Sequence, residues 1–138
     1  LLLGQLPGTE RPSDRFIRAS YYLDRLESTA DSDTAIANVM SLIRNVSVPF
    51  LAESNPDSPN ISPTLLRVIA DQKNLRYFFE DTQNPNTYWV ELKNFDLSEH
   101  GAVLYLHAES GPVRAGEVSG EFIDPPMFDF LPEYPTGG

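Results

Sequence analysis

The sequence predicts an α+β fold, two helices followed by antiparallel strands. Three observations carry that expectation. Apolar residues recur at helical spacing twice before residue 50, the period changes to alternation between residues 65 and 93, and a stretch rich in proline and asparagine separates the two regimes.

The elements follow in order along the chain. Residues 4–12 are turn-rich, with Pro7-Gly8 as the strongest breaker. A first helix is expected over residues 13–28, with Ser13 as its cap and Phe16, Ala19, Leu23 and Leu26 on one face. Ile17, Ser20 and Tyr21 widen that stripe, so this helix is expected to be largely covered. A second helix over residues 33–46 starts near Asp33 and carries Ile36, Val39, Met40, Ile43 and Val46, before Pro49 stops it. Residues 53–63, with three prolines and two asparagines, read as an exposed loop.

Strands are expected over residues 65–71, 75–81 and 87–93, joined by two short turns. Leu66, Val68 and Ala70, then Leu75, Tyr77 and Phe79, then Tyr88, Val90 and Leu92 would share the buried face. The opposite face mixes Ile69, Phe78 and Trp89 with Arg67, Arg76, Glu80 and Glu91, so it is expected to be partly buried, as in a layered sandwich. Residues 102–107 are a fourth expected strand, and residues 109–138 form an acidic, proline-rich tail that carries Phe122, Phe128, Phe130 and Tyr134.

At 138 residues with 41% apolar and 22% charged residues, the chain suits one globular domain. A net charge of −10, with ten basic residues among twenty acidic ones, argues against binding nucleic acid, which depends on clustered Lys and Arg. No apolar run approaches the ~20 residues of a membrane span. Leu1-Leu2-Leu3 lacks the basic flank and length of a signal peptide and reads as the end of a buried strand, as in a fragment. Without cysteine there is no disulfide framework, no thiolate metal site and no cysteine nucleophile. Asn45-Val46-Ser47 and Asn60-Ile61-Ser62 match a glycosylation acceptor, a pattern too short to weigh.

The polar residue that stands out is Arg15. With Ser13 as cap it lies in the first helical turn, where a cation opposes the helix dipole at a cost of roughly 0.3–1 kcal/mol. Two readings account for it. The commoner is an ion pair with Asp14 or another surface acid. The other is an anion site, where a helix start and a guanidinium together would stabilise a thiolate, a carboxylate or a developing oxyanion. His107 and Glu109 would share a strand face, but with His100 in a turn the ligands are too few for a metal. No Gly-x-Ser-x-Gly elbow and no glycine-rich phosphate loop occurs.

Three stretches together resemble the later half of the choloylglycine hydrolase family, which includes bile-salt hydrolases and penicillin V acylases. They are Leu6-Pro7-Gly8 with Ser13-Asp14-Arg15-Phe16-Ile17-Arg18-Ala19; Asn45-Val46-Ser47-Val48-Pro49; and Arg67 through Asp71-Gln72-Lys73-Asn74 and Tyr77-Phe78-Phe79 to Trp89-Val90-Glu91-Leu92. The resemblance runs from Gly4 to about Gly101 and leans toward the family's Gram-negative branch. It implies part of an αββα N-terminal-nucleophile sandwich, in which an amino-terminal cysteine attacks an amide carbonyl with its own α-amine as base. It implies that Arg15 borders that nucleophile. The cysteine, an early Arg and Asp, and two asparagines of the family pattern have no counterpart here, so this chain alone is expected to be inactive.

The implied activity is hydrolysis of non-peptide linear amides by the full-length protein. Its substrate would be penicillin V, an acyl-homoserine lactone or a conjugated bile salt. No cofactor or metal is implied. The expected partner is the missing amino-terminal part of the same enzyme, with a homo-oligomer as a further option, and the expected location is the periplasm, with the cytoplasm as alternative. Two rivals remain at this point: a non-catalytic binding module that docks through the aromatic tail, and a structural subunit paired with a separate nucleophile-bearing chain.

Overall fold

The computed structural model describes residues 6–49, 63–107 and 112–125. The first three leucines, the loop over residues 53–62, Glu109 and the tail aromatics Phe128, Phe130 and Tyr134 lie outside the described residues.

Helix α1 spans Pro12–Leu23. Its cap is Arg11, not Ser13, and Pro12 occupies the first turn, where a missing N–H costs no hydrogen bond. The helix stops short of residue 28. Arg25 Nη1 donates to Tyr21 O at 2.9 Å and its guanidinium lies 3.6 Å from the Tyr21 ring centroid, while Arg25 N and Leu26 N turn to carbonyls three residues back. That tightened turn satisfies the last carbonyls and ends the helix where Asp24 and Glu27 would oppose its dipole. The expected cover is absent: no α1 residue is buried, and Phe16 and Leu23 are 73% and 60% exposed.

Helix α2 spans Ser32–Asn45 and starts two residues earlier than the Asp33 cap implied. Asp31 is the cap, with a side-chain oxygen accepting from Thr34 N at 2.7 Å. The stripe Ile36, Val39, Met40 and Ile43 faces the sheet, with Met40 buried.

Strands β1 (Leu66–Asp71), β2 (Arg76–Asp81) and β3 (Tyr88–Glu91) form the expected antiparallel meander, with Ile69, Phe78 and Trp89 in register. Leu75 is the last loop residue and not the first of β2, because its φ of 54° is left-handed and breaks the strand before Arg76. Leu92 leaves β3 for a single 3₁₀ turn, Leu92–Asn94.

The fourth strand lies elsewhere than expected. Within residues 102–107 only Tyr105 pairs, as an isolated bridge to Ile123. Strand β4 is Gly116–Glu117, and it runs parallel to β3, so the sheet is mixed, in the order β1-β2-β3-β4. Gly116 permits this with a φ of 86°, and Val118 N then donates to Trp89 O at 2.9 Å while the Val118 side chain enters the core at 2% exposed. A parallel neighbour needs a long connection, and β3 ends at Glu91 while β4 begins only at Gly116.

Each sheet face buries one apolar cluster, and α2 covers the face that the alternation made the less buried one. The face that α2 covers is the mixed one, where Ile69, Phe78 and Trp89 pack on Met40 amid charges. On the more apolar face, Tyr88 and Val90 are buried with Val118 under Leu92, Phe95, Leu106 and Phe122. Leu66, Val68 and Tyr77 on that face remain 36–38% exposed.

Candidate functional site

The entry to α1 is fastened by short-range polar bonds. Arg18 Nη1 donates to Pro7 O at 2.8 Å and to Thr9 O at 2.7 Å, which pins the Pro7-Gly8 turn against the helix. Thr9 Oγ1 donates to Asp14 Oδ2, so Asp14 is engaged there and not with Arg15.

Arg15 is half-buried, and its Nε donates to Val46 O at 2.7 Å. Val46 is the C-cap of α2. The guanidinium therefore lies where the first turn of α1 meets the last of α2, and it satisfies one of the carbonyls that a helix end leaves open. Among the described residues no carboxylate pairs with Arg15, and its Nη groups donate to none of them. The ion pair with Asp14 is thus not formed.

Beside Val46 lies a network that reading along the chain missed. Glu80, 6% exposed, accepts from Arg44 Nε at 2.9 and 3.1 Å, from Arg44 Nη2, and from Arg67 Nη1 at 2.8 Å. Burial pushes the Glu80 carboxyl up, but the hydrogen bonds from Arg44 and Arg67 outweigh it and hold it below its ordinary value. Arg67 Nε also donates to Ser47 Oγ at 2.8 Å. The signal was the charge on an otherwise apolar strand face. What sequence lacks is the pairing of residues 36 apart across a helix and a sheet.

A second polar group surrounds Asp71 at the other end of α2. Asp71 accepts from Asn74, Ser32 and Arg76, and Arg76 also pairs with Asp33 at 3.0 Å. Asn74 and Arg76, with Ser32, hold the Asp71 carboxyl far below the usual carboxylate range. Between the two groups, Ile36, Met40, Phe78 and Trp89 floor a cleft of about 460 Å³ rimmed by Arg44 and Arg76.

No group of three His, Asp or Glu side chains gathers among the described residues. His107 belongs to a different contact set: its carbonyl accepts from Arg114 Nη1 at 2.9 Å, and its ring meets Tyr105 edge-on. No helix is long and apolar enough to cross a membrane, among the described residues.

Comparison with known proteins gives three concordant results. The family model of the linear amide C-N hydrolases, choloylglycine hydrolase family, matches residues 3–105. A penicillin V acylase of Pectobacterium atrosepticum is 38% identical over 140 residues, covering 91% of this chain and 37% of the relative. The solved structure of penicillin V acylase from Agrobacterium tumefaciens superimposes with a TM-score of 0.80 at 42% identity, over 92% of this chain and 41% of that one. The chain thus spans about two-fifths of the length of these relatives.

Proposed function

Because the chain belongs to the choloylglycine hydrolase family of linear amide C-N hydrolases, we propose that it is the carboxyl-terminal portion of an amide hydrolase and that Arg15 is its catalytic contribution. The observation that supports this is the state of Arg15: a half-buried guanidinium that, among the described residues, is anchored through Nε alone and has no carboxylate partner. The carbonyl end of α2 offsets part of the cost of half-burying this cation, and an anion arriving at its Nη groups would offset more.

The chemistry would run in two halves. The α-amine of an amino-terminal cysteine, on polypeptide that precedes this portion, takes the thiol proton, and the thiolate attacks the amide carbonyl. The tetrahedral intermediate expels the amine, which leaves with that proton, and water then cleaves the acyl-thioester to release the acid and restore the thiol. Arg15 would stabilise the thiolate and the developing oxyanion electrostatically. Penicillin V is the preferred substrate, since both relatives are penicillin V acylases; acyl-homoserine lactones and glycine-conjugated bile salts are the alternatives.

The same reading accounts for the uncovered apolar surfaces. Phe16 and Leu23 on α1, and Leu66, Val68 and Tyr77 on the sheet, would be closed by the rest of the polypeptide. Periplasmic location is part of the proposal and is tested by cell fractionation.

The deciding experiment is a panel of the three substrate classes on the intact gene product, with and without Arg15→Ala. Losing one pre-aimed charge is expected to lower kcat/KM by roughly 10²-fold or more, with a far smaller change in stability. Unchanged turnover in the variant removes Arg15 from the site. Binding without turnover of any amide would favour a non-catalytic module instead.

A further inference from the structure

Among the described residues the Arg15 guanidinium hydrogen-bonds one carbonyl, and the two residues after that carbonyl are themselves tied down. Val46 O receives Arg15 Nε at 2.7 Å. The next residue, Ser47, donates through its hydroxyl to Ile43 O at 2.7 Å and accepts from Arg67 Nε at 2.8 Å. Its backbone N donates to Arg44 O at 3.2 Å. Val48, 4% exposed, is tied to Thr64 in both directions: Val48 N donates to Thr64 Oγ1 at 3.0 Å, and Thr64 N donates to Val48 O at 2.9 Å.

These bonds form a closed circuit. Arg44 on α2 grips Glu80 on β2, Glu80 grips Arg67 on β1, and Arg67 returns through Ser47 to the end of α2. Two parts of the circuit do different work. The Arg44–Glu80–Arg67 group already joins helix to sheet, so the Ser47 branch adds little to that attachment. What it adds is local. It ties the last turn of α2 to β1 one residue after the Val46 carbonyl.

We propose that Ser47 and Arg67 are positioning residues for Arg15, setting its guanidinium through the Val46 carbonyl. This rests on the reading of Arg15 as the cation beside the nucleophile. Replacing the Ser47 hydroxyl by hydrogen frees both Ile43 O and Arg67 Nε and leaves the Val46–Ser47 peptide plane held by the longer backbone bond from Ser47 N to Arg44 O, at 3.2 Å, about which it can tilt. The Arg15 guanidinium then follows its acceptor away from the reacting atoms, while the Glu80 group still holds the layers together.

The test uses the intact gene product on penicillin V in five forms: unaltered, Arg15→Ala, Ser47→Ala, the double variant and Ser47→Thr. A misplacement on the ångström scale costs roughly 10- to 100-fold in rate, so Ser47→Ala is expected to lose that much kcat with KM nearly unchanged. The acid limb of its kcat/KM profile should move to higher pH, as in Arg15→Ala, because a displaced cation stabilises the thiolate less. Ser47→Thr keeps the hydroxyl and should restore most of the rate. In the Arg15→Ala background, Ser47→Ala should add nothing further.

Equal losses from Ser47→Ala in both backgrounds, or a loss confined to KM, would overturn the positioning role while leaving the Arg15 reading intact. An Arg15→Ala enzyme with full activity overturns both. If Ser47→Ala folds poorly, Arg67→Lys provides the second variant: it removes the Nε donor to Ser47 but keeps a cation at Glu80, and the same kcat and pH signature is expected.

Discussion

Glu80→Gln removes the charge of the buried carboxylate, keeps its shape, and turns one of its two acceptor oxygens into an NH2 that accepts from neither arginine. In the native protein Arg67 Nη1 approaches Glu80 at 2.8 Å from a side chain only 19% exposed, whereas Arg44 approaches from one that is 51% exposed. A hydrogen bond to a charged group is worth about 1.5–3 kcal/mol and a neutral one about 1 kcal/mol. With the amide oxygen kept toward Arg67, the change there therefore costs about 0.5–2 kcal/mol. At Arg44 water can replace much of the loss, so less than about 1 kcal/mol is added there. Gln is also cheaper to bury than a carboxylate, which returns part of the sum. The expected destabilisation is about 1–2 kcal/mol at neutral pH.

The pH dependence gives the sharper test. The folded carboxyl titrates below its unfolded value, so the unfolded chain binds the proton first as pH falls. The contribution of Glu80 is fully present above the unfolded pKa of about 4.3, and it disappears as pH drops through the lower folded value. Urea midpoints of the intact protein and the Gln variant should be well apart at pH 7 and converge toward pH 3, with equal m-values. Identical midpoints at pH 7, or a gap that survives unchanged at pH 3, would refute the electrostatic account.

Three further outcomes follow from the same geometry. A Cβ on Gly101 would fall 2.0 Å from Asp96 O and 2.9 Å from Asp96 C, so Gly101→Ala should cost about 1–3 kcal/mol. Gly8→Ala and Gly120→Ala, with nothing within 4 Å, serve as controls and should leave the urea midpoint nearly unmoved. Asp31→Ala should lower the thermal midpoint and Asp31→Asn should not, since only Ala removes the acceptor of Thr34 N. Hydrogen bonding to Thr34 lowers the Asp31 carboxyl, so that cap is strongest above its unfolded pKa and weakens in acid; a midpoint gap between Ala and native forms that widens in acid would contradict this.

Much of the fold was legible along the chain, and the failures share a cause. Both helices and the three-strand meander follow from periods that each segment carries within itself, as with Ile36, Val39, Met40 and Ile43 or Tyr77 and Phe79. The errors arise where a partner distant in sequence decides. Residues 102–107 have strand-like composition, yet β3 takes Gly116–Glu117 as its neighbour, because a glycine at positive φ and a small buried Val118 fit that edge. Ser13 looks like a cap, but Pro12 can already occupy the first helical turn, which moves the boundary to Arg11.

The site shows the same division in a more consequential form. Arg15 could be singled out from its own neighbourhood, since a cation in a first turn needs an explanation that local chemistry can state. Its acceptor could not, because Val46 O is a backbone atom 31 residues away and leaves no mark in side-chain pattern. The same holds for the charges on the face beneath α2. Alternation assigns the more apolar face to the core, yet α2 settles on the face bearing Arg67, Arg76 and Glu80, where each cation finds a carboxylate and the apolar ring of Phe78 lies between them. A sheet face that mixes charge with aromatic residues can therefore seat a helix, provided the charges neutralise one another in place. Here that seat leaves the apolar face half open, and fixes the end of α2 against which Arg15 rests.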